Sequence, residues 1–146
     1  MTRRSLLDIN VMIALLDPDH VFHENAHAWW AENLERGWAS CPLTENGVVR
    51  IMSNRGYSQG AHFTPGDLIA RLVEFVSRSD HEFWADDLSL RDSGVFETGR
   101  VHGPQQLTDV YLLALAVEHG GRLVTLDRSI PLSTVREAAA ANLCVI

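Results

Sequence analysis

Short, continuous apolar runs alternate along this chain with longer segments whose apolar residues recur at three- and four-residue spacing. Residues 5–8 (Ser-Leu-Leu-Asp) read as a buried strand, followed by a brief helix to Leu16 and a turn at Asp17-Pro18-Asp19. Residues 20–36 have helical character, with Val21, Ala28 and Trp29 among the apolar contributors, and Gly37 stops them. Residues 38–41 form a second strand, Pro42 opens a helix over about 43–54, and Gly56 and Gly60 bracket a loop. Thr64-Pro65-Gly66-Asp67 begins a helix with the stripe Leu68, Leu72, Phe75 and Val76, and residues 81–85 are a third strand. Residues 86–104 are irregular, with one or two short helical turns. A helix over 108–119 closes at Gly120-Gly121, and the strand 122–126 ends at Asp127. A last helix over 133–141 precedes a final strand, 143–146.

Strands alternate with helices from end to end, and the strands lack the polar-apolar alternation of a half-exposed sheet. That pattern predicts a parallel sheet covered by helices on both faces, a three-layer α/β/α protein. No repeat, low-complexity tract or linker interrupts it, so residues 1–146 read as one domain.

Four carboxylates occupy places that folding alone does not ask for. Asp8 interrupts an apolar run over residues 6–16 that is otherwise broken only by Asn10, and Asp127 ends Leu-Val-Thr-Leu. Both lie at carboxyl ends of predicted parallel strands, the edge where open α/β sheets carry their sites. Asp109 shares the spacing i, i+3, i+4, i+7 with Leu112, Leu113 and Ala116, and Glu45 shares it with Val48, Val49 and Met52. Each therefore sits in a first helical turn on the apolar side. Helix capping accounts for any one of these acids; it accounts poorly for four converging on one sheet edge. Gathered carboxylates repel and lose hydration. All twelve basic residues are arginine, so neutralisation falls to arginine or to a divalent cation. Carboxylate oxygens favour a hard ion, Mg2+ or Mn2+. A carboxylate-held ion opposite a phosphodiester activates water and stabilises the leaving oxygen.

The formal charge of −7 argues against a general nucleic-acid binder but not against an enzyme that grips one phosphodiester at a metal. The apolar run at residues 6–16 is too short to span a bilayer and lacks a small-residue cleavage site, so a cytoplasmic protein with no membrane partner is expected. Cys41 and Cys144 lie in strand-like stretches with no C-x-x-C pair, which reads as buried thiols.

Four segments carry a family resemblance: Leu7-Asp8-Ile9-Asn10-Val11-Met12-Ile13-Ala14, Thr44-Glu45, residues 107–116 (Leu-Thr-Asp-Val-Tyr-Leu-Leu-Ala-Leu-Ala), and Leu123-Val124-Thr125-Leu126-Asp127. In this order and total length the chain resembles the PIN-domain family, and within it the VapC-type toxins of bacterial toxin–antitoxin pairs. The resemblance implies a five-stranded parallel sheet and a Mg2+- or Mn2+-dependent endoribonuclease. It also implies a cognate antitoxin that blocks the site. It makes Asp8, Glu45, Asp109 and Asp127 the acidic catalytic and metal residues, Thr125 the hydroxyl accompanying the last acid, and Asn10 a supporting group. Arg128 and Ser129 follow Asp127 where some relatives carry a further acid. A homodimer is expected.

His20, His23 and His27 lack a completing ligand and read as a solvated helix face. Trp29 and Trp30 read as interface residues, and with Met52 as apolar contacts of an antitoxin groove on the helices 20–36 and 43–54. Arg100 and His102 are divided between phosphate contact and solvated loop, and Asp92 and Glu97 match no role. A phospho-acceptor domain shares only Asp8 and ordinarily needs a lysine that this chain lacks; a flap-type DNA nuclease needs a helical insertion for which 146 residues leave little room. A binding scaffold that lost its chemistry has no reason to keep all four acids.

Overall fold

A computed structural model describes residues 3–60 and 62–146. Five parallel strands, β1 (Ser5–Leu7), β2 (Trp38–Ser40), β3 (His81–Phe83), β4 (Arg122–Thr125) and β5 (Leu143–Val145), form one sheet in the order β3-β2-β1-β4-β5. Five helices connect them: α1 (Ile9–Leu16), α2 (His23–Glu32), α3 (Pro42–Met52), α4 (Pro65–Ser77) and α5 (Leu107–Glu118). The irregular stretch after β3 carries short 3-10 turns at Thr98–Arg100 and Pro104–Gln106.

The strand order dictates which face each helix covers. From β1 to β2 to β3 the chain steps one way across the sheet, and α1 to α4 lie on the face of Leu7, Trp38 and Val124. From β3 it crosses back to β4 and on to β5. Right-handed crossovers then require the opposite face. There α5 and the loops around Phe96 and Val135 pack on Leu6, Ala39 and Leu123. The side chains of Leu6 and Leu7, or of Leu123 and Val124, thus feed two separate cores, both fully buried. The direction of travel reverses between β1 and β4, the topological switch point.

Three expectations change. Residues 133–141 are not a helix: a 3-10 turn (Leu132–Thr134) leads into a bridge at Val135, a turn and a second 3-10 turn (Ala140–Asn142). The cause is tertiary pairing. Glu97 N donates to Thr134 O and Arg136 N to Val95 O, bridging Phe96 and Val135, and this outweighs the helix propensity of the alanines. The segment 20–36 is helical only over His23–Glu32, because His20 and His23 amides close turns after Asp17 and the Asn33 side chain caps Trp29 O. The histidines are not merely a solvated face. His23 Nδ1 lies 2.7 Å from Ala14 O and His27 Nε2 3.0 Å from Leu15 O, satisfying carbonyls in the last turn of α1. Cys41 is buried and Cys144 half-buried, both unpaired thiols.

Candidate active site

Asp8 follows β1 and caps α1. Its amide continues the sheet by donating to Val124 O, and its carboxylate accepts from Ile9 N at 2.7 Å. The second oxygen accepts from the buried Thr125 hydroxyl at 2.7 Å. Thr125 ends β4, and its oxygen also accepts from Asp127 N at 3.0 Å and from Asn10 Nδ2 at 3.4 Å. The Asn10 oxygen takes Leu126 N at 3.2 Å. The hydroxyl and the amide thus pin the end of β4 to the start of α1 across the switch point. Burial raises the Asp8 pKa, against the pull of its Thr125 and Ile9 hydrogen bonds, and the Asp127 charge raises it further.

Asp127 stands more open, with Oδ1 accepting from Ser129 N at 2.8 Å and Ser129 Oγ at 2.7 Å. Those two donors hold its carboxyl below the usual range. Asp109 comes from the opposite face, in the first turn of α5, and no donor of this kind serves it. Burial first, then the Asp8 and Asp127 charges, push its pKa up to about 7. The structure therefore brings Asp8, Asp109 and Asp127 into one electrostatic unit at the switch point.

Glu45 reaches the same edge from the first turn of α3, one strand over. Its Oε2 accepts from the buried Ser40 hydroxyl at 2.5 Å, and the same hydroxyl oxygen is 2.8 Å from His81 Nε2. Its carboxylate is thus turned along β2 toward β3. Among the described residues, no three acidic, histidine or cysteine side chains are already gathered in ligand positions around one point.

The donor set nevertheless fits a hard divalent cation. It is all oxygen, and among the described residues the four ion pairs (Arg4 with Asp80 and with Glu82, Arg78 with Glu74, Arg136 with Glu97) leave these acids without a counter-charge.

Sequence reasoning missed Ser40, His81 and Ser129. A signal existed for Ser129, since Asp-x-Ser after a strand is an Asx turn, and for Ser40, a strand-ending hydroxyl like Thr125. His81 carried none. The remaining candidates have structural work. Asp92 accepts from Gly94 N in a turn, Glu97 pairs with Arg136 at 2.6 Å, and His102 N donates to Gln106 Oε1. Arg100 lines a surface hollow with Glu97 and Arg136, away from the acids. Met52 is fully buried and unavailable to a partner. Trp30 packs on Trp38 and Phe75, and the Arg122 guanidinium lies 5.7 Å from the Trp29 ring centre.

Comparison with known proteins agrees with this geometry. The PIN domain family model matches residues 5–135. Ribonuclease VapC44 of Mycobacterium tuberculosis is 46% identical over 147 residues, covering 98% of this chain and 99% of that protein. Ribonuclease VapC39 of the same organism is 43% identical over 126 residues, 86% of this chain and 90% of its own length. A crystal structure of VapBC2 from Rickettsia felis, bound to a DNA fragment from their promoter, superposes with a TM-score of 0.52 at 15% identity. It covers 97% of this chain and 96% of that one, and supports the fold alone. A parallel sheet with acids at its switch point, matched from β1 to Val135 by one family model, places the chain in the PIN-domain family.

Proposed function

We propose that this chain is a metal-dependent endoribonuclease, the toxin of a toxin–antitoxin pair, acting as a single domain in the cytoplasm. Its Mg2+ or Mn2+ is held by Asp8, Glu45, Asp109 and Asp127. PIN-domain ribonucleases are generally metal-dependent, and relatives of near-full length carry the name ribonuclease. The observation that carries the reading is the carboxyl cluster at the switch point. Burial, and then the Asp8 and Asp127 charges, raise the Asp109 pKa to about 7, and none of the ion pairs among the described residues relieves these acids.

When bound, a divalent ion supplies Lewis acidity toward a phosphodiester and a water acidic enough to attack it. The chain's own part is positional. Thr125 and the Ile9 amide fix both oxygens of Asp8, and Ser129 fixes Asp127. Asp109, whose pKa stands at about 7, would release its proton to a bound cation, which would link occupancy to pH.

An apolar groove of about 590 Å³ runs between α3 and α4, walled by Val49, Ile69, Leu72, Val73 and Val76 and ending at Glu45 and His81. Ile69 and Val73 are more than half exposed. This suits the amphipathic helix of a basic antitoxin, whose cationic side chain would reach the acids from the groove's end. This groove lies on α3, one of the two helices the sequence offered, together with α4.

The test is incubation of the purified chain with total RNA, with Mg2+ or with chelator, and mapping of the cut ends. Cleavage should need the metal and fall by orders of magnitude in Asp8→Asn. Expression alone should arrest growth and co-expression of the neighbouring gene should relieve it. Full cleavage by Asp8→Asn refutes the site.

A further inference from the structure

We propose that Arg3, Arg36 and Arg122, at the amino ends of β1, β2 and β4, form an anion site that binds backbone phosphates of RNA on the sheet edge away from the acids. The inference rests on the ribonuclease reading for its choice of RNA and deepens it by adding a second contact for the substrate.

The strands are parallel, so their amino ends share one edge and the carboxylates lie at the other. A hollow of about 410 Å³ opens on the amino edge, lined by the three arginines together with Ala140, Leu143 and Cys144. The chain carries 19 acidic side chains against 12 arginines, yet among the described residues no acid lines this hollow. The four ion pairs among the described residues include none of the three arginines. Guanidiniums gathered without a counter-charge repel one another, and a buried one also loses hydration. That is the same imbalance as at the acids, with the sign reversed.

Arg122 is held in place by neutral groups alone. Its Nε donates to the buried Ser5 hydroxyl at 3.1 Å, its Nη2 to Asn33 Oδ1 at 3.0 Å, and its guanidinium lies 5.7 Å from the Trp29 ring centre. Among the described residues Nη1 keeps its protons for a ligand. Burial lowers the Arg122 pKa and the Arg36 charge adds to the fall, so the two guanidiniums lie in each other's field. Arg3 donates only to Gly120 O, at 3.2 Å, and the Arg36 side chain makes no hydrogen bond among the described residues. One fixed fork beside two uncommitted ones suits the several oxygens of a phosphate.

The neighbouring surface favours RNA over a lone phosphate or an acidic peptide. The turn that carries Arg36 also walls a smaller hollow of about 210 Å³, through Asn33 and Gly37, and Trp29, Trp30 and Trp38 line it. Aromatic rings beside guanidiniums accept stacked bases next to held phosphates.

The test is binding of a labelled oligouridylate in chelator, by fluorescence anisotropy from about 50 to 200 mM salt. Without a cation the acids repel phosphate, so binding under these conditions reports on the arginines. Arg3→Gln and Arg36→Gln should each flatten the slope of log K against log salt by about 0.7, the value for one single-strand phosphate contact, which is about a 5-fold loss at 0.1 M salt. Arg91→Gln makes the same charge change on an exposed loop and should leave the slope unchanged. Thermal unfolding confirms that each variant is folded. Inorganic phosphate and poly-glutamate should displace the RNA far less well than unlabelled oligouridylate. Wild-type slopes in both Arg3→Gln and Arg36→Gln, equal flattening in Arg91→Gln, or displacement by phosphate or poly-glutamate as effective as by RNA overturns the site. Total RNA incubated with Mg2+ separates the two levels. Binding with the expected losses but no cleavage rejects the ribonuclease reading and keeps the phosphate site; cleavage with unchanged slopes does the reverse.

Discussion

Neutralising Asp109 should stabilise the metal-free protein while removing its response to metal. In the fold the Asp109 pKa stands at about 7 against an ordinary 3.8, because burial and the Asp8 and Asp127 charges all favour the protonated form. The folded state therefore binds more protons than the unfolded one between these values. Stability associated with this group is intact below pH 3.8, falls as pH rises toward 7, and is fully lost above it. At 1.36 kcal/mol per pH unit the ceiling is about 4 kcal/mol. Asp109 is only half buried, so solvent screening reduces this to about 1–2 kcal/mol. In a chain of this size that is roughly 2–8 °C in Tm.

The Asp109→Asn substitution would keep the shape and a donor toward Asp127 without the charge. The measurement is thermal unfolding of wild type and Asp109→Asn in chelator from pH 4 to pH 9. The mutant's advantage should be near zero at pH 4, grow through pH 5–7 and level off above. Adding Mg2+ at pH 8 should raise the wild-type Tm and leave the mutant nearly still. An advantage independent of pH, or a mutant less stable than wild type at pH 8, refutes the electrostatic account of the cluster.

Thr125→Val removes a hydroxyl that serves Asp8, Asp127 N and Asn10 together; stability should fall by about 1–3 kcal/mol in denaturant unfolding, and cleavage by more than that loss of folded protein explains. At Gly47 an added Cβ would collide with the side chain of Ile9, the residue beside Asp8; Gly47→Ala should cost about 1–3 kcal/mol by wedging α3 from α1, read by the same unfolding curves.

The layers were legible because the central strands β1, β2 and β4 are short runs buried on both faces, so their period needed no decision between exposed and buried sides. What the sequence could not show was pairing between distant loops. Residues 133–141, rich in alanine, have every local reason to coil. Val95 and Glu97, nearly forty residues away, supply the backbone partners that hold Val135 extended between Thr134 and Arg136. The histidines at 23 and 27 failed for a similar reason. Their partners are carbonyls of α1, and a backbone acceptor leaves no mark in the amino-acid code.

The acids were legible for the opposite reason, since each violates its surroundings. An aspartate that ends an apolar strand, or faces inward from a helix start, advertises a cost that something must offset. That logic brings Asp8, Asp109 and Asp127 together but is silent on orientation, which depends on the hydroxyls. Thr125, Ser129 and Ser40 turn three of the acids by hydrogen bonds of 2.5–2.7 Å, and among the described residues Asp109 has no such partner. The acid without a hydroxyl is the one that carries the proton near neutral pH. A hydroxyl that donates to a carboxylate favours its charged form and aims it, which at Asp8 works against the rise that burial causes, whereas at Asp109 burial and the neighbouring charges act together.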